Sequence, residues 1–229
     1  MTDRNLTNQA TIQAIIKDQK VRQEVTKNSH TWFFNIYFNH YVKYEAASFH
    51  EEIFKLTEQG GNENFAIVAF RGSAKSTIVN MSYPIWAILG KPQKKFILIV
   101  GQTQQQARQH IKNLKDELEA NHVLRADLGP FEEQDDDWRA YSIVIPKYNA
   151  RITAISVEQS IRGIRHNAHR PDLIICDDIE DLASVKTKES RDKTVQWLTS
   201  ELLPAGDKNT RFVMIGNLLH EDSSIMRMK

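Results

Sequence analysis

The sequence predicts an α/β fold, with a mostly parallel central sheet flanked by helices on both faces and preceded by an N-terminal helical segment. Three observations carry this expectation. A short apolar run, Phe65 to Phe70, leads straight into a loop bearing a lysine and hydroxyls, and a helical pattern follows it. Strand-length apolar runs then alternate with helix-length stretches, the rhythm of parallel βαβ units. A second apolar run, Leu173 to Cys176, ends in a block of carboxylates.

From Leu6 to about Leu56, apolar residues recur three to four apart: Ile12, Ile15 and Ile16; Trp32, Phe33, Ile36, Tyr37 and Tyr41; Phe49, Ile53, Phe54 and Leu56. This spacing predicts helices, and Gly60-Gly61-Asn62 breaks it, dividing an N-terminal helical segment (1–58) from a core (59–229). Within the core, Phe65 to Phe70 reads as a buried strand, Lys75 to Leu89 as a helix stopped by Gly90-Lys91-Pro92, and Phe96 to Val100 as a strand. Thr103 to Glu119 follows as a helix. Tyr141 to Ile145 and Arg151 to Ile155 are expected to pair around Pro146 and Asn149. Leu173 to Cys176 is another buried strand, Lys188 to Leu203 a helix and Arg211 to Ile215 a last strand.

A chain of 229 residues with 41% apolar content can bury one sizeable core, which argues against two equal domains. Its apolar runs are too short to span a bilayer, and MTDRNLTNQ lacks the order of a signal peptide, so a soluble cytosolic protein with no membrane partner is expected. The single cysteine, Cys176, excludes an internal disulfide framework and a zinc site built on several thiolates. A net charge of +1 announces no basic face, so any nucleic-acid contact would be local and shared among subunits.

The loop Arg71-Gly72-Ser73-Ala74-Lys75-Ser76-Thr77 stands between a strand and a helix, the context of a P-loop. Backbone N–H groups of the loop and helix N-terminus can cradle phosphates, Lys75 can reach the terminal ones, and the Ser76 hydroxyl can join the shell of a magnesium ion, with Thr77 behind them. Ala69 and Ala74 stand where the generic motif has glycines. At the end of the later strand, Asp177 is placed to bind the metal, and Asp178 to polarise the attacking water, with Glu180 in reserve as the base. This reading sets the Asp177 strand directly beside the P-loop strand.

Four segments together resemble the large subunit of tailed-phage terminases: Phe70 to Thr77, Ser160 to Arg165, Arg170 to Glu180 and Gly216 to Ser223. A glycine-poor P-loop with an arginine ahead of it is characteristic of that family. The resemblance implies a magnesium-dependent ATPase of the additional-strand P-loop class that moves double-stranded DNA through a portal protein into a procapsid. It also implies a small terminase subunit as partner, self-association into a ring on the procapsid, and residence in the host cytoplasm. ATP and Mg²⁺ are the implied cofactors. Arg71 matches the family's loop arginine at the phosphates, and Gly216-Asn217 its coupling motif, with Asn217 where threonine is usual. Family members normally continue into a nuclease domain, whereas this chain stops at Lys229, so no nuclease residue is assigned. A non-hydrolysing, nucleotide-dependent assembly or DNA-docking module is the alternative function.

Arg162 and Arg165 flank Gly163 before the acidic strand, where either could act as a finger on a neighbour's nucleotide or stay a solvated loop residue. His166, His169 and His220 have no ligand-like spacing and read as surface or capping residues. Asp135-Asp136-Asp137 is a solvated charge run, with Trp138 anchoring its turn. Gln104-Gln105-Gln106 after Thr103 reads as a helix cap more than as a DNA groove. Trp32, Phe33, Tyr37 and Tyr41 are core aromatics, one of which could instead support an adenine.

Overall fold

In a computed structural model that describes residues 15–131, 138–157, 159–161 and 163–228, seven strands form one sheet. They are β1 (Phe65–Val68), β2 (Phe96–Gly101), β3 (Trp138–Arg139), β4 (Ser142–Ile145), β5 (Ala150–Ser156), β6 (Leu173–Asp177) and β7 (Arg211–Gly216). The order is β1-β7-β6-β2-β5-β4-β3. The first five are mutually parallel, whereas β4 and β3 turn back antiparallel on β5, with Asn149 left-handed (φ 47°) at the β4–β5 turn. Every residue of β2, β6 and β7 is buried, as near-continuous apolar runs in a two-sided parallel sheet must be.

The sequence places the Asp177 strand directly beside the P-loop strand. β6 does not lie beside β1, because β7 sits between them, with Phe65 opposite Val213 on one side and Leu173 opposite Arg211 on the other. Hydrophobic runs show that a strand is buried without naming its neighbours, and the last strand of the chain fills this slot. An extra strand between the phosphate-loop strand and the acidic strand is the arrangement of the additional-strand class.

Helices cover both faces. They are α1 (Gln19–Asn28), α2 (His30–Tyr37), α3 (Ser48–Glu58), α4 (Tyr83–Leu89, entered through a π-helical stretch Thr77–Ser82), α5 (Gln104–Ala120), α6 (His122–Leu128), α7 (Lys188–Trp197, continued by a π-helical stretch Leu198–Leu202) and α8 (Ser224–Arg227). Side chains alternate along β2: Ile97 and Ile99 join the cluster under α2 to α5, while Leu98 and Val100 join the opposite cluster under Leu198 and Leu202. Cys176 is buried in the second cluster. Thr103 and Gln106 form the expected cap of α5, and Gln104 and Gln105 are exposed.

The N-terminal helices share the first cluster with the sheet. Asp127 of α6 receives Arg22 of α1 through Nε and Nη2, both at 2.8 Å, and the Tyr37 hydroxyl at 2.9 Å. His30 is enclosed by Trp86, Tyr83 and Phe54, with Nδ1 2.7 Å from Thr57 Oγ1 and Nε2 2.9 Å from Ser82 Oγ. Burial pushes its imidazole down to about 3, so it is neutral. Phe33 and Tyr37 are core residues, Tyr41 donates to Glu117, and Trp32 lines a groove with Ile36 and Val123, so none of the four stands at the phosphate loop. Asp135, Asp136 and Asp137 lie outside the described residues. No described helix is long and apolar enough to cross a membrane.

Candidate functional site

The strand ends of β1, β7 and β6 converge on one cluster. After β1 the chain turns through Gly72 (φ 81°) and Ala74 (φ 58°) and enters a helix at Lys75. Ala74 holds a left-handed conformation in which glycine would be at ease, at a cost on the order of 1 kcal/mol. Such a loop directs successive N–H groups towards one concavity at a helix N-terminus, an anion-binding arrangement. Lys75 is buried and its Nζ donates to Asn217 Oδ1 at 3.3 Å. Ser76 Oγ donates to Asp177 Oδ1 at 3.3 Å. Ser73 is buried with its hydroxyl lacking a protein partner, and Thr77, half-buried, opens the π-helical stretch. Arg71 is exposed on the loop.

Asn217 joins loop to acid. Its Oδ1 accepts from Lys75, while its backbone N–H and Nδ2 donate to Asp178 Oδ1 at 3.1 and 3.2 Å. Asp178 is itself left-handed (φ 44°), a strained backbone at the end of β6. Asp177 is 7% exposed. Burial first, and the charge of Asp178 second, push its carboxyl up to about 7, against the opposing pull of Lys75, Ser76 and Asn80. The Ser76 hydroxyl at 3.3 Å is a long contact for a buried carboxylate, which is therefore only loosely satisfied. A hydroxyl beside hard carboxylate oxygens is a donor set that fits Mg²⁺ bound together with phosphates.

The structure thus brings together Lys75, Ser76, Asp177, Asp178 and Asn217. Glu180 is engaged elsewhere, and Arg165 lies elsewhere. Both oxygens of Glu180 accept the Ser224 N–H, at 2.9 and 3.0 Å, so Glu180 caps α8. Arg165 lines a cavity of about 680 Å³ with Lys94, Arg170 and Asp172 at the opposite edge, where the parallel strands begin. The five residue steps from Asp172 to Asp177 set that edge about 16 Å from the Asp177 end of β6. Arg162 lies outside the described residues. His166 and His169 pair through their backbones, and His220 Nδ1 accepts the Asp222 N–H, which is a turn-capping role.

Two residues at the site escaped the sequence reading. His110 Nε2 lies 3.6 Å from Asp177 Oδ2, and burial pushes its imidazole down to about 4. Asn80, 4% exposed, faces the same carboxylate with its amide lacking a partner at full hydrogen-bond geometry. A signal existed for both: His110 interrupts the apolar stripe Ala107, Ile111, Leu114, and Asn80 stands among buried apolar residues one turn after Ser76.

No family model matches the chain. Over 144 residues it is 28% identical to "Terminase, large subunit" of Enterobacteria phage T3, an alignment covering 61% of this chain and 23% of that protein. The chain therefore spans about a quarter of that relative. Among solved structures, the Thermus phage P74-26 large terminase ATPase domain superposes with a TM-score of 0.52 at 14% identity, covering 83% of this chain and 69% of that one. The HK97 bacteriophage large terminase superposes with a TM-score of 0.50 at 14% identity, covering 80% of this chain and 35% of that one. The chain is similar in sequence to a phage terminase large subunit, and its fold is that of the large-terminase ATPase domains.

Proposed function

We propose that this chain is the ATPase motor domain of a phage terminase large subunit, hydrolysing ATP to drive double-stranded viral DNA into a procapsid. Residues 1–58 are its helical segment and residues 59–229 its catalytic core. The observation that supports this best is the bridge from Lys75 through Asn217 to Asp178, which ties the phosphate loop on β1 to the acid on β6 across β7.

In this reading the loop N–H groups of Gly72 to Thr77 and the Lys75 ammonium bind the phosphates, and Arg71 reaches the terminal one. Ser76 and Asp177 hold Mg²⁺, which when bound neutralises phosphate charge. Asp178 orients the attacking water and takes its proton as the water oxygen bonds to the terminal phosphorus and the bridging oxygen leaves with ADP. Asn217, touching both lysine and acid, registers whether the terminal phosphate is present. Glu180 is the weaker base, since Ser224 occupies both its oxygens. Arg162 or Arg165 acts on a neighbouring subunit's nucleotide, in keeping with the position of Arg165 far from its own Lys75. The portal, the small terminase subunit and a ring of copies on the procapsid in the host cytoplasm complete the assembly, and each near-neutral subunit contributes few DNA contacts.

ATP turnover with magnesium, with and without DNA, tests the proposal. Lys75→Ala should lower turnover about 10²-fold or more. Mixing it with Arg162→Ala or Arg165→Ala subunits, under conditions that force association, should restore activity for the arginine that acts in trans. Unchanged hydrolysis in Lys75→Ala sinks the site assignment. Nucleotide binding without any turnover in the assembled ring would leave an assembly module in place of a motor.

A further inference from the structure

We infer that His50 is a positioning residue for the phosphate loop, holding the Ser73–Ala74 peptide so that the Ala74 N–H faces a bound phosphate; this rests on the ATP-site reading above. His50 lies in the first turn of α3. The Ala47 N–H donates to its Nδ1 at 3.0 Å, so that nitrogen is the acceptor and the ring proton of the neutral imidazole sits on Nε2. Nε2–H in turn donates to the Ser73 carbonyl at 2.9 Å.

In a trans peptide the carbonyl and the following N–H point in opposite directions. Fixing Ser73 C=O towards α3 therefore turns the Ala74 N–H away from α3. The same bond restrains Ala74, whose left-handed backbone (φ 58°) has no glycine to make it easy. Phe49, beside His50 with ring centroids 4.0 Å apart, meets Phe70 edge-on at 5.8 Å, so α3 grips the loop at two points. The far end of α3 is held as well. Arg211 at the start of β7 donates to the carbonyls of Leu56, Thr57 and Gln59. A rigid brace thus runs from the sheet through α3 to the phosphate loop.

The test compares His50→Leu, which keeps bulk but lacks a donor, with His50→Gln, which restores one. Equilibrium binding of ADP and of inorganic tripolyphosphate is measured alongside Lys75→Ala and unfolding of the free proteins. His50→Leu should weaken both ligands by a similar factor of about ten, with KM for ATP raised and kcat retained. His50→Gln should recover most of that loss. Unchanged binding in His50→Leu, loss for ADP alone, or His50→Gln as weak as His50→Leu overturns the inference. If Lys75→Ala binds tripolyphosphate normally, the phosphate-loop reading itself fails. Should His50→Leu not fold, NMR of the unmodified protein decides: the Ala74 amide proton moves downfield on adding tripolyphosphate, and a stationary signal refutes the role.

Discussion

Two aspartates bracket β6, and they are treated differently. Asp172, just before the strand, accepts the backbone N–H groups of Lys95 at 2.7 Å and Phe96 at 3.1 Å, and its carbonyl receives Lys94 Nζ at 2.9 Å. Asp177, at the strand's end, has the Ser76 hydroxyl at 3.3 Å and His110 at 3.6 Å. Burial is the largest influence on both and raises both. At Asp172 fixed main-chain donors come next and oppose it, whereas at Asp177 the neighbouring Asp178 adds to it. Burial therefore does not by itself mark an acid as a candidate for metal binding. What separates the two is whether the partners are main-chain groups that cannot leave, or movable side chains that a cation can replace.

Neutralising each acid should have opposite consequences. Asp177→Asn should cut magnesium-dependent turnover by about 10² to 10³ while leaving the unfolding midpoint unchanged or higher, since an under-paired buried charge is removed. Asp172→Asn should leave turnover in place and lower stability by about 2 kcal/mol. The reverse pattern in turnover and denaturant melts would invert the assignment.

A second contrast lies just past the strand. Asp178→Asn should keep ATP binding and lose hydrolysis, because only the proposed proton acceptor is removed. Glu180→Gln should cost about 1 kcal/mol of α8 capping and little activity. A dead Glu180→Gln beside a live Asp178→Asn in single-turnover assays would move the base two residues along.

His30 extends the comparison to a buried group whose ring nitrogens both have hydroxyl partners yet which still carries a pH cost. Its folded value is pushed down to about 3, well below the ordinary 6.5. The unfolded chain therefore binds a proton that the folded chain refuses between those limits. Its stability contribution is complete above about pH 6.5 and is lost as pH falls towards 3. Urea melts at pH 5 and pH 7.5 should differ by about 2 kcal/mol more in the wild type than in His30→Asn. Equal slopes would mean that the imidazole is charged in place.

The smallest effect is expected at Ala74. Ala74→Gly relieves the left-handed strain but adds unfolded-state entropy, so the melting temperature should rise by the equivalent of about 1 kcal/mol or less, with turnover kept. A marked loss of stability would show that Ala74 is not strained.

Most strand and helix positions were legible because they depend on order and period along the chain. Phe96 to Val100 and Leu173 to Cys176 announced buried strands, and Thr103 with Gln106 announced a helix start. The π-helical stretches at Thr77–Ser82 and Leu198–Leu202 were not legible, since their residues fit a helical pattern of either pitch. Nor were His50 and His110, whose roles depend on which loop or strand end passes their helices.

By itself the sequence determined that a lysine–serine loop opens a helix after a buried strand, and that Asp177 and Asp178 end another, because a motif and its flanking periodicity are local. Packing of the whole chain was needed to place β7 between those strands, to bring Asn217 back 142 positions to Lys75, and to bring Ser76 to Asp177 across 101. It also decided that Glu180 is spent on a helix cap and that Arg165 faces the far edge. The physical reason is the same in each case: strand order and side-chain encounters are set by how whole elements pack against one another, and the spacing of residues along a single strand or helix carries no record of its neighbours.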